Sequence, residues 1–177
     1  MENVRRRTRV LTHMALLLAI SVALSALEHM LPPLMVAVPS VRLGLSNIVT
    51  MYALFFMGGK YAFGIAVLKS LFVLLMRGVT AGIMSVFGGV FSVLAMLLLG
   101  LIFKDKISYL ILSVTGAIVH NFAQIVAASF ILETNLLLLY WPVLLISGVV
   151  LGSVTGTILR YVMPYLGKIF KHTGNTK

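Results

Sequence analysis

From residue 11 to residue 159 the chain is a succession of apolar runs, each closed by a proline pair, a glycine turn or a charged cluster. Crossing a bilayer takes about 20 mostly apolar residues in one helix. A chain of 177 residues that is 60% hydrophobic and 10% charged holds six such runs and only short connections. In lipid every backbone N–H and C=O must be satisfied within the segment, which confines such runs to helices. The predicted fold is therefore an all-α integral membrane protein, a bundle of six transmembrane helices.

The expected spans cover residues 11–31, 43–58, 61–76, 81–103, 108–132 and 136–159. The first ends at Pro32-Pro33, and the connection that follows, with Pro39 near its end, is apolar enough to lie at the interface or fold over the bundle. Gly58-Gly59-Lys60 and Arg77-Gly78 make tight turns, Lys104-Asp105-Lys106 stops the fourth run and Glu133 the fifth. The expected organisation is a basic N-terminus over residues 1–10, one membrane domain over 11–160 and a basic tail over 161–177. Arg5, Arg6, Arg7 and Arg9 ahead of an apolar run superficially resemble a secretory signal. With no small-x-small cleavage site after the run, they are expected to anchor the first helix instead.

A net charge of +10 would suit nucleic acid, but the basic residues sit at the ends of apolar runs, which is a topology pattern. With the N-terminus inside, Arg5, Arg6, Arg7, Arg9, Lys60, Lys104, Lys106, Arg160, Lys168, Lys171 and Lys177 all fall on the cytoplasmic side. Only Arg42 and Arg77 fall outside, with Lys69 mid-span. Both termini are accordingly expected inside, in the plasma membrane of a prokaryote, with no nucleic-acid partner.

Polar groups at membrane depth are costly and usually face a bundle interior or a cavity. Lys69, mid-way along the third span, costs about 2.5–3.5 kcal/mol on insertion scales. A structural pair with Glu28 and a contact to an anionic ligand are both open readings. Arg42 and Arg77 are explained by snorkelling or, with Lys69, by a pocket for a carboxylate or phosphate. In the fifth span His120, Asn121 and Gln124 fall within five residues, which suits either helix–helix hydrogen bonds or a pocket wall. Ser85, Gly88, Gly89 and Ser92 give the fourth helix a smooth, partly polar surface for a helix or a ligand.

Small residues recur at four-residue intervals: Ala15, Ala19 and Ala23 on the first helix, Gly148, Gly152 and Gly156 on the last. Such stripes let backbones approach closely where no hydrophobic effect drives association. The glycines are expected to pack inside the bundle, and the alanines to pack there or to dock a second membrane protein.

Four acids, none adjacent, cannot supply the carboxylate cluster that holds magnesium for diphosphate chemistry. No GxxxxGK[ST], HExxH or GxSxG motif is present, there is no cysteine, and the histidines lack ligand spacing with His120. No enzymatic activity, cofactor or metal site is expected. Transport energy would have to come from an ion gradient or an ATP-binding partner.

The run Arg42-Leu-Gly-Leu-Ser-Asn47-Ile-Val, then Gly58-Gly59-Lys60, then Ser85-x-x-Gly88-Gly89-x-x-Ser92, resembles the Gx transporter family, also named heptaprenyl diphosphate synthase component I. That family looks related to the substrate-binding S components of energy-coupling factor (ECF) transporters. The resemblance spans residues 10–160, with its specificity between 42 and 92. Lys69 departs from it, since arginine is expected there, and the exchange keeps the charge but loses the bidentate fork.

The resemblance implies a six-helix S component that captures a small vitamin- or cofactor-like molecule from outside. Its partners would be a transmembrane T component and two cytoplasmic ATPases. The alanine stripe would be the docking surface, and the connection carrying Pro32, Pro33 and Pro39 the gate. The expected substrate site joins Arg42, Asn47, Lys69, Arg77, Ser92, His120, Asn121 and Gln124. Two alternatives stand beside this: a non-catalytic membrane subunit serving prenyl diphosphate and quinone synthesis or a redox assembly, and an ion-gradient carrier with Glu28 as its coupling acid.

Overall fold

A computed structural model describes residues 2–30, 44–103 and 107–174; Arg42, Pro32, Pro33 and Pro39 lie outside the described residues. The described residues are helical throughout, apart from short turns. The helices are α1 (Glu2–Met30), α2 (Leu45–Phe56), α3 (Gly59–Arg77), α4 (Val79–Phe103), α5 (Tyr109–Ile131) and α6 (Trp141–Gly174), with a 3-10 turn at Asn135–Tyr140 before the last.

Glycine sets the corners. Gly78 alone separates α3 from α4, at φ +89°, and its N–H closes the end of α3 on the Leu74 carbonyl. Met57 and Gly58 join α2 to α3, with Gly58 at φ +100° donating its N–H to the Ala53 carbonyl. Residues with a Cβ rarely take such angles. Ser108 starts α5 by accepting a hydrogen bond from the Ile111 N–H at 3.2 Å.

Helices α3 to α6 pack one on the next in chain order, with α1 and α2 against α3. The short α2 also reaches α4 and α6, so it is wedged into the bundle. Its Val49, Met51, Tyr52 and Ala53 join Ala62, Ile65, Ala66 and Val93 in the core. Leu75, Leu101, Phe130 and Leu139 point outward and are largely exposed, as lipid-facing side chains are.

Among the described residues, five helices are long and apolar enough to cross a membrane. The exception is α2, whose 12 residues reach only about 18 Å at 1.5 Å per residue. The continuous apolar run over 43–58 does not distinguish this wedge from a full span. At the ends, α1 begins at Glu2 rather than residue 11, and α6 runs on past Pro164 to Gly174. Arginine and lysine are good helix formers, so the helices extend beyond their apolar parts.

The glycine stripe of α6 seats on α5. A methyl on Gly152 would lie 2.7 Å from Val114 Cα, and one on Gly156 2.8 Å from Leu110 Cα. Gly148 meets Ile118 Cα at 3.2 Å in the same sense. The alanine stripe is different. Ala15, Ala19 and Ala23 are exposed on the outer face of α1, while Leu17, Ser21, Ser25 and Glu28 are buried on the inner one.

Candidate functional site

All six helices contribute to one interior cavity of about 160 Å³. Helical periodicity explains how. On α5, Ser113, Gly116, His120 and Gln124 share a stripe at three- and four-residue spacing, with Asn121 beside it. On α4 the inward stripe is Ala81, Ser85, Ser92 and Met96, and on α3 it is Lys69, Val73 and Arg77. From α1 come Ser25 and Glu28, from α2 Ser46, Asn47 and Met51, and from α6 Gly148, Gly152 and Thr155.

Lys69 is 4% exposed, although it sits mid-helix in an apolar segment. Its ammonium donates to Asn47 Oδ1 at 3.0 Å and Ser46 Oγ at 3.3 Å, both in the first turn of α2. Glu28 lies close enough to act on that charge electrostatically. Its own carboxylate accepts a hydrogen bond from the Leu45 N–H. Since Gly44 offers α2 no side-chain cap, Glu28 supplies one from α1, where a negative group is favourable. The first turn of α2 is thus held from α1 by a carboxylate and from α3 by an ammonium.

The opposite wall is built on backbone contact. A methyl on Gly88 would fall 2.8 Å from both His120 Cε1 and Gln124 Cγ, so the absence of a side chain there is what seats these two groups. Among the described residues, His120 Nδ1, enclosed against the Gly88 side, has no partner of hydrogen-bonding geometry. Gly89 meets Ala66 of α3 at 3.3 Å in the same sense, so α4 is sandwiched between α3 and α5. Asn121 Nδ2 donates to the Leu144 carbonyl at 3.1 Å, and Ser92 Oγ to the Gly116 carbonyl at 2.9 Å. These two residues face the cavity while also tying helices together.

Of the eight residues expected at a site, seven line this cavity: Asn47, Lys69, Arg77, Ser92, His120, Asn121 and Gln124. Arg77 is exposed at its margin, and Arg42 falls outside the described residues. Sequence reasoning missed Ser25, Ser46, Ser113 and Thr155. Ser113 and Thr155 join their hydroxyls at 2.7 Å across α5 and α6. Ser113 lies seven residues before His120 and Ser25 four after Ser21, so both could have been read from helical spacing. Among the described residues, no group of three metal-type ligands comes together.

These features define a class: a multi-pass α-helical membrane protein whose bundle holds a cavity lined by both polar and apolar side chains. A family model named heptaprenyl diphosphate synthase component I matches residues 17–162. The chain belongs to that family, the Gx type, whose name denotes one component of a larger assembly. No curated protein and no solved structure matches the chain.

Proposed function

We propose that the chain is the substrate-binding membrane subunit, the S component, of an ECF-type transporter that takes up a small, anionic, vitamin- or cofactor-like molecule. The observation that carries this reading is Lys69, buried mid-span, facing a cavity and held, among the described residues, by the neutral oxygens of Ser46 and Asn47 besides its attraction to Glu28. A buried cation is costly unless paired, and an anionic occupant would complete the pairing. Arg42 and Arg77 would draw that anion in, and Asn47, Ser92, His120, Asn121 and Gln124 would orient it.

In this reading six segments cross or enter the plasma membrane of a prokaryote with both ends inside, in line with the eleven basic residues on that side. Exposed Ala15, Ala19 and Ala23 would dock a T component bound to two ATPases, and Pro32, Pro33 and Pro39 would shape the gate. The family's name favours a second reading, a non-catalytic subunit beside a prenyl diphosphate synthase. The cavity's size weighs against its holding that product, since about 150 Å³ takes one benzene ring.

Native mass spectrometry of the detergent-purified protein, with affinity capture from its own membranes, separates the two. A stoichiometric small molecule, lost in Lys69→Ala, together with co-purifying ATPases, supports the S component. A preparation free of small molecules that captures a soluble synthase rejects it.

A further inference from the structure

Resting on the binding-subunit reading, we infer that the cavity accepts a single-ring heteroaromatic acid carrying one negative charge. Its carboxylate would sit at Lys69 and Arg77, and its ring heteroatom at His120 and Gln124.

Size comes first. About 150 Å³ suffices for one benzene ring, and this cavity measures about 160 Å³. Fused three-ring systems and prenyl chains exceed it.

Charge comes second. Among the described residues the lining carries two cations, Lys69 and Arg77, and one carboxylate, Glu28. Among these residues the surplus is one positive charge. Lys69 is buried while Arg77 is exposed at the margin; a buried cation is expensive unless matched, and a monoanion matches a surplus of one.

The polar ends differ in kind, which orients the occupant. The cationic groups come from α3, next to Asn47 on α2, whereas the α5 end offers an imidazole and carboxamides and no charged side chain. With Nδ1 set against the Gly88 wall, His120 lines the cavity beside Gln124, and among the described residues no hydrogen bond engages the Gln124 amide. An imidazole and an amide can each donate or accept, which suits a ring nitrogen at the edge of a flat molecule. Met51, Met84 and Met96 also line the cavity. Thioethers contact aromatic rings favourably and adapt to their outline. A saturated acid would gain nothing from them, and a purely hydrocarbon ring would leave His120 and Gln124 unmet.

Isothermal titration of the purified protein with four probes tests this: pyridine-3-carboxylate, benzoate, pyridine-3-carboxamide and pyridine-2,3-dicarboxylate. The expected order puts pyridine-3-carboxylate first. Removing the ring nitrogen (benzoate) or the charge (carboxamide) should each cost at least about tenfold, the scale of a buried polar group left unpaired. The dicarboxylate should be weaker too. Gln124→Leu should bring pyridine-3-carboxylate down to the benzoate value without changing benzoate. Gly88→Ala, whose methyl would displace His120 and Gln124, should do the same.

Benzoate or the carboxamide binding as tightly as pyridine-3-carboxylate, or the dicarboxylate binding more tightly, overturns the assignment. So does silence from all four probes. In that last case native mass spectrometry of the same preparation decides what else falls. A larger molecule bound through Lys69 removes only the single-ring acid, whereas a ligand-free protein removes the binding-subunit reading with it.

Discussion

The two sides of the cavity are built by opposite means. On the α2–α3 side, polarity holds the wall: Lys69 reaches Ser46 and Asn47, and Glu28 caps the same turn from α1. On the α5–α6 side, alongside the Ser113–Thr155 and Asn121–Leu144 hydrogen bonds, the absence of side chains sets the contact: Gly148, Gly152 and Gly156 let two backbones meet along Ile118, Val114 and Leu110. Glycine contacts have one good geometry, because packing falls away steeply with separation. A charged hydrogen-bond set can exchange one partner for another at modest cost. The bundle therefore pairs a fixed wall with an exchangeable one, and the exchangeable wall carries the cations.

The contrast can be broken from either side. Gly152→Leu should do most damage, since even a methyl there would meet Val114 Cα at 2.7 Å. We expect a loss of about 3 kcal/mol, the upper part of the overpacking range, read as a lowered thermal midpoint in detergent. An unchanged midpoint would mean that α5 and α6 are not locked. Lys69→Met should act on the other property. Replacing a buried charge by an apolar side chain of similar length is often neutral for stability, so the fold should survive while occupancy by the proposed anion falls at least about tenfold. If stability collapses instead, the polar wall is structural and its exchangeability is refuted.

Smaller effects sharpen the picture. Asn121→Leu removes the bond to the Leu144 carbonyl and should cost about 0.6 kcal/mol, the average for polar contacts between membrane helices. A larger drop would show Asn121 supporting more than that one contact. Ala19→Leu, on the exposed face of α1, should change the isolated protein by less than about 0.5 kcal/mol. Its effect should surface only in assembly, as loss of co-purifying membrane partners. Retained partners would place the docking surface elsewhere.

Much of this was legible in the sequence, for reasons that differ by residue. Lys69 stood out because a cation in an apolar run needs an explanation, and His120, Asn121 and Gln124 because three polar groups shared nearly one face. Helix ends at Gly58, Gly78 and Ser108 could be read from turn chemistry. The capping of Leu45 by Glu28 could not, because it joins residues 17 apart across a connection whose path no local pattern dictates. Nor could the shortness of α2, since hydropathy records the tendency to leave water without saying whether lipid or protein receives the segment. The glycine stripe announced close packing but not its partner, as four-residue spacing is common to every helix it might meet.

One consequence remains in the position of Lys69. It lies ten residues from Gly59 and eight from Arg77 in α3, roughly 15 and 12 Å from the two ends at 1.5 Å per residue. A unit charge seated beside it from either side has therefore crossed about half the transmembrane voltage, worth about 1 kcal/mol per 100 mV. The affinity for any singly charged occupant becomes a function of membrane potential, so an energised cell and a detergent micelle will report different constants for the same site.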